Sequence, residues 1–88
     1  MKVVWTPNAW EDYLHWRKTD PKIFLWINQL INNIKATPFK GLGKPEPLKH
    51  GLQGCWSRRI TQEDRLVYRV SGKGPAQQVE ILQCRYHY

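Results

Sequence analysis

The sequence has no long apolar run, few acidic side chains and only two cysteines. No run approaches the ~20 apolar residues that a helix needs to span a bilayer, and the first residues turn polar too soon for a secretory signal. We therefore expect a cytoplasmic protein that is not anchored in a membrane. Cys55 and Cys84 lie in separate strand-like runs and not in a CxxC pair, which favours buried free thiols. No spacing of His, Cys and Asp indicates a metal site, and no cofactor is expected.

Basic side chains outnumber acidic ones by two to one. The 88 residues include 14 Lys and Arg against 7 Asp and Glu, for a formal net charge of +7. So much positive charge on a small surface favours a polyanionic partner, which can be nucleic acid, an acidic protein or an anionic membrane. At this length, residues 1–88 are expected to form a single domain with one modest core.

Two proline-led helix starts follow the first few residues. Thr6-Pro7 and Thr19-Asp20-Pro21 each place a capping side chain before a proline at the first helical position. The second helix has the clearest periodicity in the chain, because apolar residues from Ile23 to Ile34 recur at a spacing of 3.6. That helix should end before Pro38, since the residue preceding a proline avoids the helical region.

The aromatic residues of the two helices suggest how each helix packs. Trp10, Tyr13 and Leu14 fall at helical spacing and predict the apolar face of the first helix. Trp16 and Trp26 lie off the apolar faces, so they are candidates for an interface.

β-Branched and aromatic residues predict four strands around the helices. A first strand covers residues 1–6, a hairpin pairs 55–61 with 65–71, and a last strand runs over 77–88. A connection rich in glycine and proline spans 39–54. The sequence therefore predicts an α+β domain of order β-α-α-β-β-β, with a helical hairpin packed on one face of a mainly antiparallel sheet.

The predicted sheet has one face that points away from the helices. Side chains alternate between the two faces of a strand, and one parity carries basic residues. These residues are Arg59, Arg65, Arg69, Arg85 and His87. Arg58 has the parity of Trp56 on the helix-covered face, so it is expected to reach the sheet edge or to snorkel.

An open face with arginines and a histidine has groups that can cleave RNA. The ribose 2′-hydroxyl must lose a proton, the leaving 5′-oxygen must gain one, and negative charge gathers on the phosphate between them. Glu46, the one acid of residues 39–54, can serve as the base and His87 as the acid, while Arg59 and Arg65 can clamp the phosphate bidentately. Each also has a structural interpretation: a solvated carboxylate, surface charges and an exposed terminal histidine.

Several motifs occur in an order that is typical of one protein family. They are Trp10-Glu11-Asp12-Tyr13, Thr37-Pro38-Phe39, Gly43-Lys44-Pro45-Glu46-Pro47-Leu48-Lys49-His50, Trp56-Ser57-Arg58-Arg59-Ile60, Arg65-Leu66-Val67-Tyr68 and Cys84-Arg85-Tyr86-His87-Tyr88. In these motifs the chain resembles, nearly end to end, the Txe/YoeB toxins of the RelE/ParE toxin–antitoxin superfamily. The resemblance implies the RelE/YoeB-like microbial RNase fold.

The resemblance also implies an activity. It implies an mRNA interferase: a metal-independent endoribonuclease that cleaves mRNA in the A site of the 70S ribosome and so inhibits translation. The catalytic positions of the family match Glu46 as base, Arg65 as charge stabiliser and His87 as acid. Its phosphate-binding or supporting positions match Lys49, Arg59 and Tyr88.

The implied partners are the ribosome with its mRNA, a cognate YefM-type antitoxin and a second copy of the chain in a homodimer. Operator DNA would be bound only within the toxin–antitoxin complex. Two other functions stay open: a ParE-like, non-catalytic inhibitor of DNA gyrase on the same fold, and an RNA-binding module without chemistry. The ParE-type relatives lack the combination of glutamate and terminal histidine found here.

Overall fold

The computed structural model describes residues 1–87 and has two helices packed on a sheet. Its elements are β1 (Lys2–Trp5), α1 (Pro7–Thr19), α2 (Pro21–Ala36), β2 (Glu46–Pro47), β3 (Cys55–Arg59), β4 (Arg65–Ser71), a 3-10 turn (Gly74–Ala76) and β5 (Gln78–Gln83). The strands lie in the order β1-β5-β4-β3-β2, with β1 parallel to β5 and the other pairs antiparallel. The predicted α+β class and mainly antiparallel sheet are confirmed.

Both helices begin at the predicted capping residues. The Thr6 hydroxyl accepts the Ala9 amide hydrogen at 3.1 Å, and the Asp20 carboxylate accepts the amides of Lys22 and Ile23. The apolar stripe of α2 forms the centre of the core, where Ile27, Leu30 and Ile34 are fully buried against β4 and β5. Neither helix of the described chain is long and apolar enough to cross a bilayer.

The apolar face predicted for α1 is wrong at two of its three residues. Trp10 and Leu14 are exposed, whereas Ala9 and Asp12 are the buried positions of this helix. Tyr13 is half-buried and packs against the core with Trp16. The helix therefore turns a small residue and an acid toward the sheet, and the reason for the acid lies at the functional site.

The connection between the helices and β3 contains a strand that the sequence did not predict. In β2, Glu46 is paired with Ser57 and Pro47 with Trp56. Just before β2, the carbonyl of Gly43 accepts the Arg59 amide hydrogen at 2.7 Å. Gly43 has a φ of +77°, and a Cβ there would lie 2.8 Å from Leu30 Cδ2, so the close approach requires glycine.

The last strand is shorter than predicted. β5 ends at Gln83, so the expectation of a strand to residue 88 is wrong for residues 84–87, and Tyr88 lies outside the described residues. Val67 pairs with Gln83 and Tyr68 with Ile81, which leaves Leu82 as a bulge. Because of this extra residue, Ile81 and Cys84 both face the core, and strand parity no longer assigns a face to Arg85 or His87.

Arg58 neither snorkels nor reaches the sheet edge, contrary to the prediction. It is fully buried at 0% exposure, and its guanidinium donates hydrogen bonds to the segment that follows α2. The carbonyls of Thr37, Lys40 and Leu42 accept these bonds at 2.7, 3.0 and 3.0 Å. Further bonds go to the Asn33 side chain and, at 3.2 Å, to the Tyr68 hydroxyl. These acceptors replace the water that a buried guanidinium loses.

Candidate functional site

The register of the sheet brings three predicted site residues to one face. Glu46 is paired with Ser57 across β2 and β3, and Arg59 is paired with Arg65 across β3 and β4. Directly paired residues carry their side chains on the same face of a sheet. Ser57 and Arg59 are two residues apart on β3, so they also share a face. Glu46, Arg59 and Arg65 therefore lie on the face opposite the helices, which we call the outer face.

The outer face is less basic than the sequence predicted. Leu48, Cys55 and Val67 form a small apolar cluster there, with Leu52 and Leu82 packed against it. Arg69 is engaged in a salt bridge with Glu80 at 2.6 Å. The basic part of the face is therefore concentrated at the end of the sheet where Arg59 and Arg65 are paired.

Glu46 and Lys49 line a common cleft of about 470 Å³. The walls are Glu46, Pro47, Leu48, Lys49, His50 and Leu52. Both charged side chains are exposed, whereas Leu48 is buried and fixes the middle of the segment in the apolar cluster of the outer face. The backbone amide of Leu48 also donates to the Cys55 carbonyl at 2.9 Å. The carboxylate is thus accessible on a segment that is fastened to β3.

The Arg65 guanidinium is held by the turn between β3 and β4. Its Nη1 donates to the carbonyls of Thr61, Gln62 and Asp64 at 2.9, 3.2 and 3.0 Å. These bonds restrict the orientation of a long side chain, so less conformational entropy remains to be lost when it meets a ligand.

Arg59 is fixed through its backbone and not through its side chain. Its carbonyl accepts the indole hydrogen of Trp26 at 3.2 Å, and its amide donates to the Gly43 carbonyl at 2.7 Å. The guanidinium itself is exposed. Trp26, considered above for an interface, therefore ties α2 to the site end of β3.

Residues 84–87, here called the tail, are fastened to α1 at their start. The amide of Cys84 donates to Asp12 Oδ2 at 3.1 Å, and its carbonyl accepts the Trp16 indole hydrogen at 2.7 Å. Burial is the main cause that raises the pKa of Asp12, against the lowering effect of the Cys84 amide and of Arg85. Burial, and then the Asp12 carboxylate, raise the pKa of the Cys84 thiol to about 12.

The tail is fastened a second time at the beginning of β4. The amide of Tyr86 donates to Asp64 Oδ1 at 2.6 Å, and its carbonyl accepts the Arg65 amide hydrogen at 2.9 Å. Tyr86 has a φ of +66°, so the chain turns here in the left-handed region. His87, the next residue, is exposed. The backbone that leads to His87 therefore lies directly beside Arg65.

The structure thus brings most of the predicted site residues together. For the backbone that leads to His87 this depends on hydrogen bonds of the tail and not on strand parity. Glu46 and Lys49 line the same cleft. Glu46, Arg59 and Arg65 lie on the outer face. The backbone of Tyr86, which precedes His87, is hydrogen-bonded to Arg65. Tyr88 is not among the described residues.

The sequence argument missed the roles of three side chains that build this arrangement: Asp12, Trp16 and Asp64. For Asp12 the available clue was its spacing, because it stands three residues after Ala9 and four before Trp16 on the face that packs against the sheet. Asp64 gave no such clue, since its partner Tyr86 is 22 positions away.

Comparison with known proteins gives consistent matches. The family described as "YoeB-like toxin of bacterial type II toxin-antitoxin system" matches residues 5–88. Toxin YoeB of Escherichia coli K12 is 53% identical over 88 residues, which cover 100% of both chains. A solved YoeB/ParE toxin from Agrobacterium tumefaciens has a TM-score of 0.95 at 59% identity, with 100% of each chain covered.

Two solved structures from Staphylococcus aureus are also similar. One is described as a YoeB dimer, with a TM-score of 0.89 at 39% identity. The other is described as a YoeB-YefM complex, with a TM-score of 0.88 at 38% identity. Each match covers 100% of this chain and 98% of the S. aureus chain.

Proposed function

Because the chain belongs to the YoeB-like toxins of bacterial type II toxin–antitoxin systems, we propose that it is a ribosome-dependent mRNA endoribonuclease. In this proposal the toxin enters the A site of the 70S ribosome in the cytoplasm, cuts the mRNA there and so stops translation. The observation that supports it most directly is the arrangement of Glu46 and Arg65 on one face, with the backbone leading to His87 fastened beside Arg65.

The proposed reaction is an attack of the ribose 2′-oxygen on the neighbouring phosphorus. Glu46 takes the proton of the 2′-hydroxyl, and the new oxygen–phosphorus bond forms as the bond to the 5′-oxygen breaks. The His87 imidazolium gives its proton to that leaving oxygen. The products are a 2′,3′-cyclic phosphate, which can hydrolyse to a 3′-phosphate, and a 5′-hydroxyl. General acid–base catalysis of this kind needs no metal ion.

The two arginines are proposed to stabilise the negative charge that gathers on the phosphate. Arg65 suits this role because the turn carbonyls already orient its guanidinium. Arg59 is paired with it across the strands and is exposed. Lys49 lines the same cleft as Glu46 and is proposed to contact an adjacent phosphate. Tyr88 is proposed to support His87 by the resemblance alone.

We also propose the partners. The S. aureus relatives are described as a YoeB dimer and a YoeB-YefM complex, so a homodimer and a YefM-type antitoxin are the proposed states of this chain. Operator DNA is proposed as a ligand of the toxin–antitoxin complex only. The net charge of +7 favours association with a polyanion such as the ribosome.

The decisive experiment maps mRNA ends on programmed ribosomes. We expect wild-type toxin to leave cyclic or 3′-phosphate ends and 5′-hydroxyl ends at the A-site codon. His87→Ala should lower the cleavage rate about 100-fold or more, because the leaving oxygen loses its acid. His15→Ala, at a histidine on α1, is the matched control and should cleave at the wild-type rate.

Other results would reject parts of the proposal. Cleavage by His87→Ala at the wild-type rate would exclude His87 as the acid. New 5′-phosphate ends would exclude attack by the 2′-hydroxyl. Intact mRNA together with a loss of DNA supercoiling would identify the ParE-like inhibitor of gyrase instead.

A further inference from the structure

Building on the proposed function, we propose that Asp64 is a positioning residue that sets the place of His87 through the backbone of Tyr86. The two oxygens of its carboxylate have different partners. Oδ2 accepts the hydroxyl hydrogen of Thr61 at 2.8 Å, and Oδ1 accepts the Tyr86 amide hydrogen at 2.6 Å. One side chain thereby joins the β3–β4 turn to the tail.

The turn gives Asp64 a fixed position. Its carbonyl accepts the amides of Ile60 and Thr61 at 3.0 and 3.3 Å, and its own amide donates to the Thr61 hydroxyl at 3.0 Å. With the backbone and one carboxylate oxygen held, the second oxygen has little freedom to move. A hydrogen bond from an amide to an ionised carboxylate is also stronger than one between neutral groups.

Tyr86 needs such a partner because its backbone is in an uncommon conformation. A φ of +66° is unfavourable for a residue with a Cβ. The backbone of Tyr86 is held at both ends: its amide donates to the Asp64 carboxylate, and its carbonyl accepts the Arg65 amide hydrogen. Since His87 is the next residue, the torsion angles of Tyr86 decide the direction in which the chain presents the histidine.

The same turn also orients the phosphate-binding arginine. Arg65 Nη1 is bound to the carbonyls of the turn, that of Asp64 included. Asp64 therefore stands between the proposed charge stabiliser and the proposed acid and fixes their relative position. In this role Asp64 accepts hydrogen bonds from protein groups and does not contact the RNA.

The first test compares Asp64→Ala with Asp64→Asn in single-turnover cleavage on programmed ribosomes. Asp64→Ala should lower the rate at saturating toxin about 10- to 100-fold, the loss expected when a reacting group is misplaced by about 1 Å. The half-saturating toxin concentration should not change. Asp64→Asn should restore most of the rate, because its amide oxygen can still accept the Tyr86 amide hydrogen. It loses only the bond from the Thr61 hydroxyl, which remains held by the amides of residues 63 and 64.

Glu63→Ala is the matched control. It removes an exposed carboxylate, with the same change in net charge, from the neighbouring position of the same turn. It leaves the acceptor of the Tyr86 amide in place, so cleavage should proceed at the wild-type rate.

A second variant removes the donor and leaves the turn untouched. Cys84 permits ligation of a synthetic peptide for residues 84–88 to a thioester of residues 1–83, and an ester can replace the Arg85–Tyr86 peptide bond. The ester variant lacks the Tyr86 amide hydrogen but retains Asp64. Its maximal cleavage rate should fall as that of Asp64→Ala does, relative to an all-amide protein made by the same ligation.

Amide hydrogen exchange gives the structural readout. The Tyr86 amide should lose its protection in Asp64→Ala and keep it in Asp64→Asn and Glu63→Ala, while core amides stay protected in all of them. A wild-type rate for both Asp64→Ala and the ester, with His87→Ala inactive, would overturn this inference alone. Equal loss of activity in Asp64→Asn and Asp64→Ala would overturn it as well, in favour of a role for the charge. If wild-type toxin leaves the mRNA intact, the proposed function fails; if His87→Ala is fully active, the proposed role of His87 as the acid fails.

Discussion

At the scale of single residues, burial changes the chemistry of the Cys84 thiol. The side chain is fully buried and its pKa is raised to about 12, first by burial and then by the Asp12 carboxylate. The thiolate is the reactive form of cysteine, so the native thiol should be nearly inert at mildly alkaline pH. We expect a Cys55→Ser variant to react with iodoacetamide at least about 100-fold more slowly when native than in concentrated guanidinium chloride.

The comparison of native and unfolded protein isolates the effect of the fold on this thiol. Cys55→Ser removes the second cysteine, which is also buried and free. Equal reaction rates in the native and unfolded protein would contradict the burial of Cys84. Slow modification in both would point to a poor reagent and calls for a smaller electrophile.

Single residues also differ in how far the sequence could reveal them. Glu46 could be singled out as the one acid in a basic segment between two prolines, and Arg59 and Arg65 by their shared strand parity. The partners of Asp12 and Asp64 could not be predicted, because each side chain binds a backbone amide far away in the chain, that of Cys84 or Tyr86. A backbone amide has no sequence signature, so only the folded chain reveals its acceptor.

At the scale of elements, Arg58 joins β3 to the segment that follows α2. It donates to three carbonyls of that segment and is fully buried. Removing the guanidinium would break these bonds and those to Asn33 and Tyr68, and each hydrogen bond of this kind contributes about 1 kcal/mol net, or more where the donor is charged. Arg58→Ala should therefore lower the free energy of unfolding by at least about 3 kcal/mol.

Chemical denaturation with urea measures this effect, and the next residue supplies the control. Arg59 belongs to the same strand and is exposed, so Arg59→Ala should change the free energy of unfolding by less than about 1 kcal/mol. Similar stability losses in the two variants would show that the buried hydrogen bonds of Arg58 contribute little.

Elements with strong local patterns were predictable, and those that depend on long-range pairing were not. The proline-led starts of both helices and the bounds of β4 follow the local sequence. The strand β2 has only two residues, and it exists because β3 provides its partner. The bulge at Leu82 shifts the alternation so that Ile81 and Cys84 both face the core, and nothing in a run of alternating apolar residues marks where an extra one is inserted.

At the scale of the whole molecule, Asp12 connects the first helix to the tail, and its ionisation should affect global stability. Burial raises the pKa of Asp12 above its ordinary value of 3.8 in the folded protein. The folded state then holds this proton more tightly than the unfolded chain does. The resulting stabilisation is complete below the unfolded pKa and is lost as pH rises through the raised pKa of the folded state.

Asp12→Asn should remove this pH dependence. Asparagine can still accept the Cys84 amide hydrogen but has no proton to lose. The free energy of unfolding of the variant, minus that of the wild type, should rise with pH from about 3.8 through the raised pKa and then level off. The difference should persist at high salt, because salt screens a buried group weakly. A difference that is constant with pH would contradict the raised pKa of Asp12.

The parallel pairing of β1 with β5 has a consequence for biosynthesis. The first strand finds its neighbour in the sheet only after residues 78–81 have been made, and α1 receives the Cys84 amide later still. Such sequence-distant contacts form late, whereas the α1–α2 hairpin can form early on the nascent chain. A partly synthesised chain therefore has neither the complete sheet nor the fastened tail, so under the proposed function it could not yet act on the ribosome that makes it.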